Sequence, residues 1–146
     1  MATDRYMVCG DCGTRQRAGR LFDVLRDCPL RVSHPCGKCN AATHLELVFP
    51  FGLDAGTHRG KVLGAFLPDS IVNWSSIDGS KVEFYPFLVI LQSLTEGHQL
   101  VWLPYWHIIT NRDSAVKTKY GQWAPFVDSD SYASMLQQAR AAGYAI

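Results

Sequence analysis

The sequence predicts a small N-terminal module stabilised by a bound metal ion, followed by a mainly antiparallel β domain with one C-terminal α-helix. Three observations carry this prediction. Two C-x-x-C pairs, Cys9–Cys12 and Cys36–Cys39, are separated by 23 residues. Aromatic and branched segments separated by turn dipeptides follow residue 60, a pattern typical of strands. A stretch with helical spacing and a polar cap ends the chain.

Length and charge bound the functions that the chain can have. Its 146 residues suit one ordinary domain or two small ones, and 47% of them are apolar, enough for a core. The net charge of +1 argues against a strongly electrostatic nucleic-acid binder and favours a protein partner. Residues 1–50 nevertheless carry a small excess of cations. Five arginines lie between the C-x-x-C pairs, where only Asp23 and Asp27 oppose them: Arg15, Arg17, Arg20, Arg26 and Arg31.

The chain carries no signal for a membrane or for secretion. No apolar segment follows Met1, and no run approaches the roughly 18 apolar residues that span a bilayer. Unpaired cysteines suit a reducing compartment. We therefore expect a cytoplasmic protein without membrane contact, and the sequence leaves its oligomeric state open.

The two C-x-x-C pairs have the spacing of a four-cysteine metal site. Each pair forms a tight turn that places two sulfurs on one side of a loop. Gly13 and Asn40 follow the pairs, and both residue types tolerate the left-handed backbone that aims amides at sulfur. Four thiolates at tetrahedral positions suit zinc.

These turns resemble the knuckles of zinc ribbons and of rubredoxin. The resemblance covers residues 5–49 and rests on Tyr6-x-x-Cys9-Gly10-Asp11-Cys12-Gly13 and Cys36-Gly37-Lys38-Cys39. It implies that Cys9, Cys12, Cys36 and Cys39 bind one structural Zn²⁺, that short antiparallel strands surround the ion, and that the module binds nucleic acid or protein. Asn40 stands where the family usually has glycine, and no aromatic residue follows Gly13 as in rubredoxin.

Other roles for these cysteines stay open. Iron in the same cage would serve electron transfer, whereas a thioredoxin-like dithiol would need one C-x-x-C after a strand. Cys28 is a fifth cysteine that suits a buried apolar position, a replacement ligand or a reactive thiol. His34 and His44 flank the second pair and are further candidate ligands.

We predict a zinc ribbon over 1–50, a glycine-rich linker over 51–60 and a β-rich domain over 61–146. Strands are expected at 61–67 and 71–74. The long apolar segments 81–94 and 99–109 resemble a hairpin around Glu96-Gly97, with Pro86 and Pro104 at edges or bulges, although 87–94 also suits a helix. A small closed barrel is one arrangement compatible with these strands.

The last element is a helix. Asp128, Ser129 or Asp130 caps it, and Gly143 ends it. Its predicted apolar stripe comprises Tyr132, Met135, Leu136 and Ala139.

The stretch 102–126 is the richest candidate for a functional surface, because three of the four tryptophans and several cations fall there. Aromatic rings beside cations stack bases of single-stranded nucleic acid or anchor a protein partner, although the same rings also suit a β core. The candidate binding residues, with the inter-knuckle arginines, are Arg15, Arg17, Arg20, Tyr105, Trp106, Arg112, Lys117, Lys119, Tyr120 and Trp123.

The sequence favours a non-enzymatic zinc-binding module that contacts protein or nucleic acid. Two different functions are also compatible with it: an enzyme whose site lies in the β domain, with zinc as a scaffold, and a rubredoxin-like electron carrier. We find no P-loop, G-x-S-x-G, H-E-x-x-H or dinucleotide-binding motif. Asp54 with His58, and His107 with Asp113, are acid–base pairs without a recognisable nucleophile.

Overall fold

The protein is described by a computed structural model over residues 4–27, 35–49, 58–121 and 127–146. These residues form two mainly antiparallel sheets and two helices. The strands are β1 (Asp4–Cys9), β2 (Arg15–Arg17), β3 (Thr43–Phe49), β4 (His58–Phe66), β5 (Val72–Ser75), β6 (Lys81–Pro86), β7 (Leu88–Ser93), β8 (Gln99–Trp102), β9 (Tyr105–Thr110) and β10 (Val116–Tyr120). The helices are α1 (Leu21–Asp27) and α2 (Ser129–Ala141).

One sheet has six strands in the order β2-β1-β3-β4-β7-β8, and the other has four in the order β10-β9-β6-β5. Each order begins and ends with a different strand, so both sheets are open. The closed barrel that the sequence allowed is therefore not formed by the described residues.

Both long apolar segments divide at a proline and contribute to both sheets. The first gives β6 before Pro86 and β7 after it, and the second gives β8 and then, beyond Pro104, β9. The Phe87 amide, which lies between β6 and β7, donates to the Pro104 carbonyl at 2.8 Å. Four buried residues in succession, Leu88–Leu91, explain why a helix also suited this stretch. Residues covered on both faces show no period-2 pattern.

The dipeptides Asp78-Gly79 and Glu96-Gly97 form turns between strands. Gly79 (φ +83°) and Gly97 (φ +84°) have the left-handed backbone that glycine adopts without strain. The Asp78 carboxylate accepts from the Ser80 amide at 2.9 Å and closes the turn between β5 and β6.

The helices differ in how far the sequence reveals them. Helix α1 is a short element that buries Phe22 and Leu25, and the sequence did not predict a helix there. Helix α2 is capped by Asp128, one of the three predicted candidates, whose carboxylate accepts from the Ser131 amide at 2.9 Å. Met135 and Ala139 are buried in α2, but Tyr132 is 43% exposed and Ser131 is the buried residue of the first turn instead.

The chain groups into two compact units, Met1–Ala65 with Ile90–Val101 and Phe66–Val89 with Trp102–Ile146. In the first, alternate residues of β3 (Leu45, Leu47 and Phe49) are buried on one face of the six-stranded sheet. In the second, Phe87 packs edge-on against Trp106 with ring centroids 5.3 Å apart. Most of the predicted linker lies outside the described residues, and β4 already begins at His58.

Candidate metal centre and candidate binding faces

The first knuckle continues directly from β1. Cys9 is the last residue of that strand, and the Gly13 amide donates to its carbonyl at 3.1 Å. Gly13 has φ +71°, which turns the chain back on itself as the sequence predicts. The Cys12 amide lies 3.5 Å from Cys9 Sγ, within hydrogen-bond reach of sulfur. The turn therefore aims a backbone dipole at the candidate ligand.

The second knuckle repeats this geometry with asparagine in place of glycine. Asn40 has φ +59°, and its amide donates to the Cys36 carbonyl at 2.9 Å. The Lys38 amide lies 3.4 Å from Cys36 Sγ. Asparagine adopts this backbone more readily than most residues, so the departure from glycine leaves the turn intact.

The four sulfur atoms form a compact cluster. All lie within 4.8 Å of one another: Cys9 Sγ is 3.5 Å from Cys39 Sγ, and Cys12 Sγ is 3.6 Å from Cys36 Sγ and 3.7 Å from Cys39 Sγ. Four ligands at the usual zinc–sulfur distance define a tetrahedron with edges of about 3.8 Å. The cluster thus has the donor type and the size that a tetrahedral metal ion needs, and these residues can hold one.

The thiols have unequal acidities. The Thr14 hydroxyl, 3.0 Å from Cys12 Sγ, lowers the pKa of Cys12 to about 6. A hydrogen bond from the Ala41 amide acts to lower the pKa of Cys39, but the sulfurs of Cys9 and Cys12 raise it to about 12. Sulfurs this close resist becoming thiolates together, and a bound cation would favour the ionised form of all four.

Within the described residues, no fifth group joins the cluster. His44, a candidate ligand from the sequence, instead places Nε2 3.0 Å from a carboxylate oxygen of Glu46. Cys28 and His34, which the sequence also suggested as ligands, lie outside the described residues. A site with four sulfurs leaves no open position for a reactive water, which is typical of structural metal sites.

One face of the four-stranded sheet carries a continuous row of rings. Directly opposite residues of an antiparallel pair share a face. Two rows of such residues cross the sheet from β5 to β10. They are Val72–Phe84–His107–Lys119 and Trp74–Val82–Ile109–Lys117. A third, shorter row pairs Pro86 with Tyr105. We call the set Trp74, Phe84, Tyr105, His107, Lys117 and Lys119 the aromatic face.

The rings of the aromatic face contact one another in sequence. Ring centroids are 5.8 Å apart for Trp74 and His107, 5.4 Å for His107 and Phe84, and 5.5 Å for Phe84 and Tyr105. The Tyr105 ring lies directly on Gly121, where any Cβ would overlap ring carbons. Trp74 is 45% exposed, and the other three rings are half-buried. The rings are therefore held in place while part of each faces solvent.

The charge of the aromatic face is positive. Lys117 and Lys119 on β10 are exposed, and no carboxylate lies in the three rows. Burial lowers the pKa of His107, and the charge of Lys119 lowers it further, so the imidazole is neutral at neutral pH. The face combines neutral rings with two lysine cations.

Two other predicted aromatic residues, Trp106 and Tyr120, lie on the side of the sheet away from this face. They pair across β9 and β10, with ring centroids 5.2 Å apart, and Trp106 is only 5% exposed.

Arg112, also predicted as a binding residue, has a side chain that covers Gly79. The Ser80 amide is the main cause that lowers the pKa of Asp78, and the charge of Arg112 lowers this pKa further. Trp123 lies outside the described residues.

The six-stranded sheet presents a second charged face. A row of directly paired residues, Arg17–Tyr6–Glu46–Lys61, crosses β2, β1, β3 and β4. Adjacent positions of the same face hold Arg15, stacked 4.5 Å from the centre of the Tyr6 ring, and Arg59. We call Arg15, Arg17, Arg59 and Lys61 the basic face.

Two carboxylates lie among these cations. Glu46 is 6% exposed and accepts from Arg59 at 3.1 Å, and Asp4 lies 3.6 Å from Arg17. Of the predicted arginines, Arg20 is elsewhere, paired with Asp23 of α1 at 2.8 Å. The structure thus brings Arg15 and Arg17 together and separates Arg20 from them.

Sequence reasoning missed Trp74, Phe84 and His107 as a group, and Lys61 beside Arg15 and Arg17. Each of these residues lies in a strand, where successive side chains point to opposite faces. The sequence does not show which strands pair. Trp74, Phe84 and His107 become neighbours only because β5 pairs with β6 and β6 pairs with β9 in the observed register.

The described histidines form no recognisable catalytic set. His98 lies 3.2 Å from Glu96 on the exposed turn after β7, and Asp113 accepts from the Ala115 amide rather than from His107. Asp54 lies outside the described residues. No helix in the described ranges is both long and apolar enough to cross a membrane.

Comparison of the chain with protein-family models, curated proteins and solved structures finds no match. The similarity to zinc ribbons therefore rests on the two knuckles alone.

Proposed function

We propose that this chain is a non-enzymatic module that is stabilised by one structural Zn²⁺ and binds single-stranded nucleic acid on its aromatic face. The observation that carries the proposal is the row of four contacting rings flanked by two lysines on one side of an open sheet.

The rings supply the contact that unpaired bases need. Bases stack on aromatic side chains whatever their sequence, and each stacked base contributes about 1–3 kcal/mol. Trp74 offers the most exposed ring, at the edge of the sheet, and Tyr105 is fixed against Gly121. Rings already held in position lose little conformational freedom on binding.

The lysines supply the attraction for phosphate. Lys117 and Lys119 lie at the β10 end of the two rows, and no carboxylate in those rows opposes them. A local concentration of cations matters more for binding than a near-neutral total, because screening in salt confines charge effects to about 10 Å. This favours nucleic acid over the protein partner that the net charge favoured.

Zinc in this proposal is a scaffold. Four thiolates suit it by donor type and spacing, and the two knuckles are similar to those of a zinc ribbon. Cys9, Cys12, Cys36 and Cys39 would hold the ion, which would fix the end of β1 and the start of β3. An enzyme and a rubredoxin-like carrier are the competing functions, and neither has a described site that supports it better.

Fluorescence anisotropy of labelled oligothymidine and oligouridine with the full-length protein tests the proposal. We expect Trp74→Ala and Tyr105→Ala each to weaken binding by about 5- to 150-fold, the effect of one lost stack. Tyr132→Ala is the matched control, because it removes an exposed ring from α2. Binding that withstands both substitutions, or that is absent from the unaltered protein at low salt, would refute the proposal. Capture of a protein partner by the same rings would then be the better account.

A further inference from the structure

We infer that the basic face of the six-stranded sheet binds the phosphates of the nucleic acid. This rests on the proposed function and adds a second, separate contact to it. The aromatic face contributes only two lysines, and a net charge of +1 offers no general attraction for a polyanion. A second local concentration of cations would add phosphate contacts to those of the two lysines.

The basic face has such a concentration. Four cations, two on β2 and two on β4, lie on one face of the sheet together with two carboxylates. Arg59 is engaged by Glu46, and Arg17 lies near Asp4. Among the described residues, no carboxylate lies within ion-pair distance of Arg15 or Lys61. Within the described ranges, these two cations are therefore not neutralised by a carboxylate.

The spread of the cations favours a linear polyanion over a single phosphate ion. Arg17 and Lys61 are separated by three strand spacings, about 14 Å. A single phosphate would need donors that converge on one point, whereas a nucleic-acid backbone presents successive phosphates along its length.

The centre of the face is suited to the same ligand. The Arg15 guanidinium already lies over the Tyr6 ring, and arginine also stacks on bases through the plane of its guanidinium. Glu46, which would repel phosphate, is almost buried; it accepts from Arg59, which neutralises it, and lies 3.0 Å from His44 Nε2. The exposed surface of the face is therefore dominated by cations.

The test is the salt dependence of oligothymidine binding by the full-length, zinc-loaded protein. Each phosphate contact contributes about 0.7 to the slope of log affinity against log salt for a single strand. Arg15→Gln with Lys61→Gln should reduce that slope by about 1.4 and weaken binding about 25-fold near 0.1 M salt. The control is Arg20→Gln with Lys81→Gln, which removes the same charge from positions outside both faces. Its slope should stay close to that of the unaltered protein.

A slope equal to the control's would overturn the inference and leave the proposed function standing, provided that Trp74→Ala still weakens binding. No binding by the unaltered protein would overturn both. If anionic phospholipid vesicles bind the protein through Arg15 and Lys61 while the oligonucleotide slope is unchanged, the face serves lipid headgroups and the inference is wrong. Should the double variant lose its metal or fold, Lys61→Gln alone replaces it, with an expected slope reduction of about 0.7.

Discussion

Glu46 is the central carboxylate of the basic face of the six-stranded sheet. Its carboxylate is almost buried and accepts from Arg59, while His44 Nε2 lies 3.0 Å away. A buried carboxylate is costly unless such partners compensate it. From the sequence, Glu46 is an ordinary polar residue of an alternating strand. Its burial depends on β1 and β4 lying on either side, which the local pattern does not encode.

Replacing Glu46 with glutamine should destabilise the protein in a pH-dependent way. Burial acts to raise the pKa of Glu46, but hydrogen bonds from His44 and Arg59 hold it below its ordinary value of 4.5. The ionised form therefore stabilises the fold above pH 4.5, and this stabilisation is lost as the pH falls from 4.5 towards the lowered value. We expect Glu46→Gln to cost about 1.5–3 kcal/mol at neutral pH and progressively less in acid, measured by urea unfolding.

Glu96→Gln is the control, since Glu96 lies on an exposed turn and its loss should change stability by less than about 0.5 kcal/mol. A cost for Glu46→Gln that is equal at neutral and acid pH would contradict the role assigned to its ionised carboxylate.

At the scale of elements, local chemistry could be predicted and partner choice could not. Gly13 and Asn40 have the left-handed backbone that their knuckles require, and Asp128 caps α2. These features depend on a few neighbouring residues. Pro86 and Pro104 indicated where pairing ends, but not that the strands on either side enter different sheets. That outcome depends on which distant segments cover each face.

Removal of the metal should disorder the knuckles and the strands attached to them. Cys9 ends β1 and pairs with Thr43 at the start of β3, so the cluster holds one end of this pair. We expect one equivalent of zinc in the purified protein and, after chelation, loss of amide-exchange protection in β1, β2 and the start of β3. Protection should persist in β6 and β9, which contain no cysteine.

Unchanged protection after complete loss of metal would contradict a structural role for the cluster. Simultaneous loss in β6 and β9 would show instead that both sheets unfold as one cooperative unit. Iron in place of zinc would support the electron-carrier function.

At the scale of the whole molecule, function depends on how charge and rings are distributed rather than on their totals. The net charge of +1 hides a basic face on one sheet and an aromatic face with lysines on the other. The sequence directed attention to residues 102–126, and the structure keeps Tyr105, Lys117 and Lys119 of that set together. Trp106 and Tyr120 fall on the opposite face, because neighbours along a strand alternate between its two sides.

The most direct test of base stacking on the aromatic face compares a normal single strand with one that lacks bases. Anisotropy titrations of the full-length protein would use labelled oligothymidine and an abasic strand of equal length, which retains every phosphate. We predict that the abasic strand binds at least about fivefold more weakly, the value of one lost stack, and that its affinity is the same for the unaltered protein and for Trp74→Ala. Equal affinity for the two strands would contradict the account.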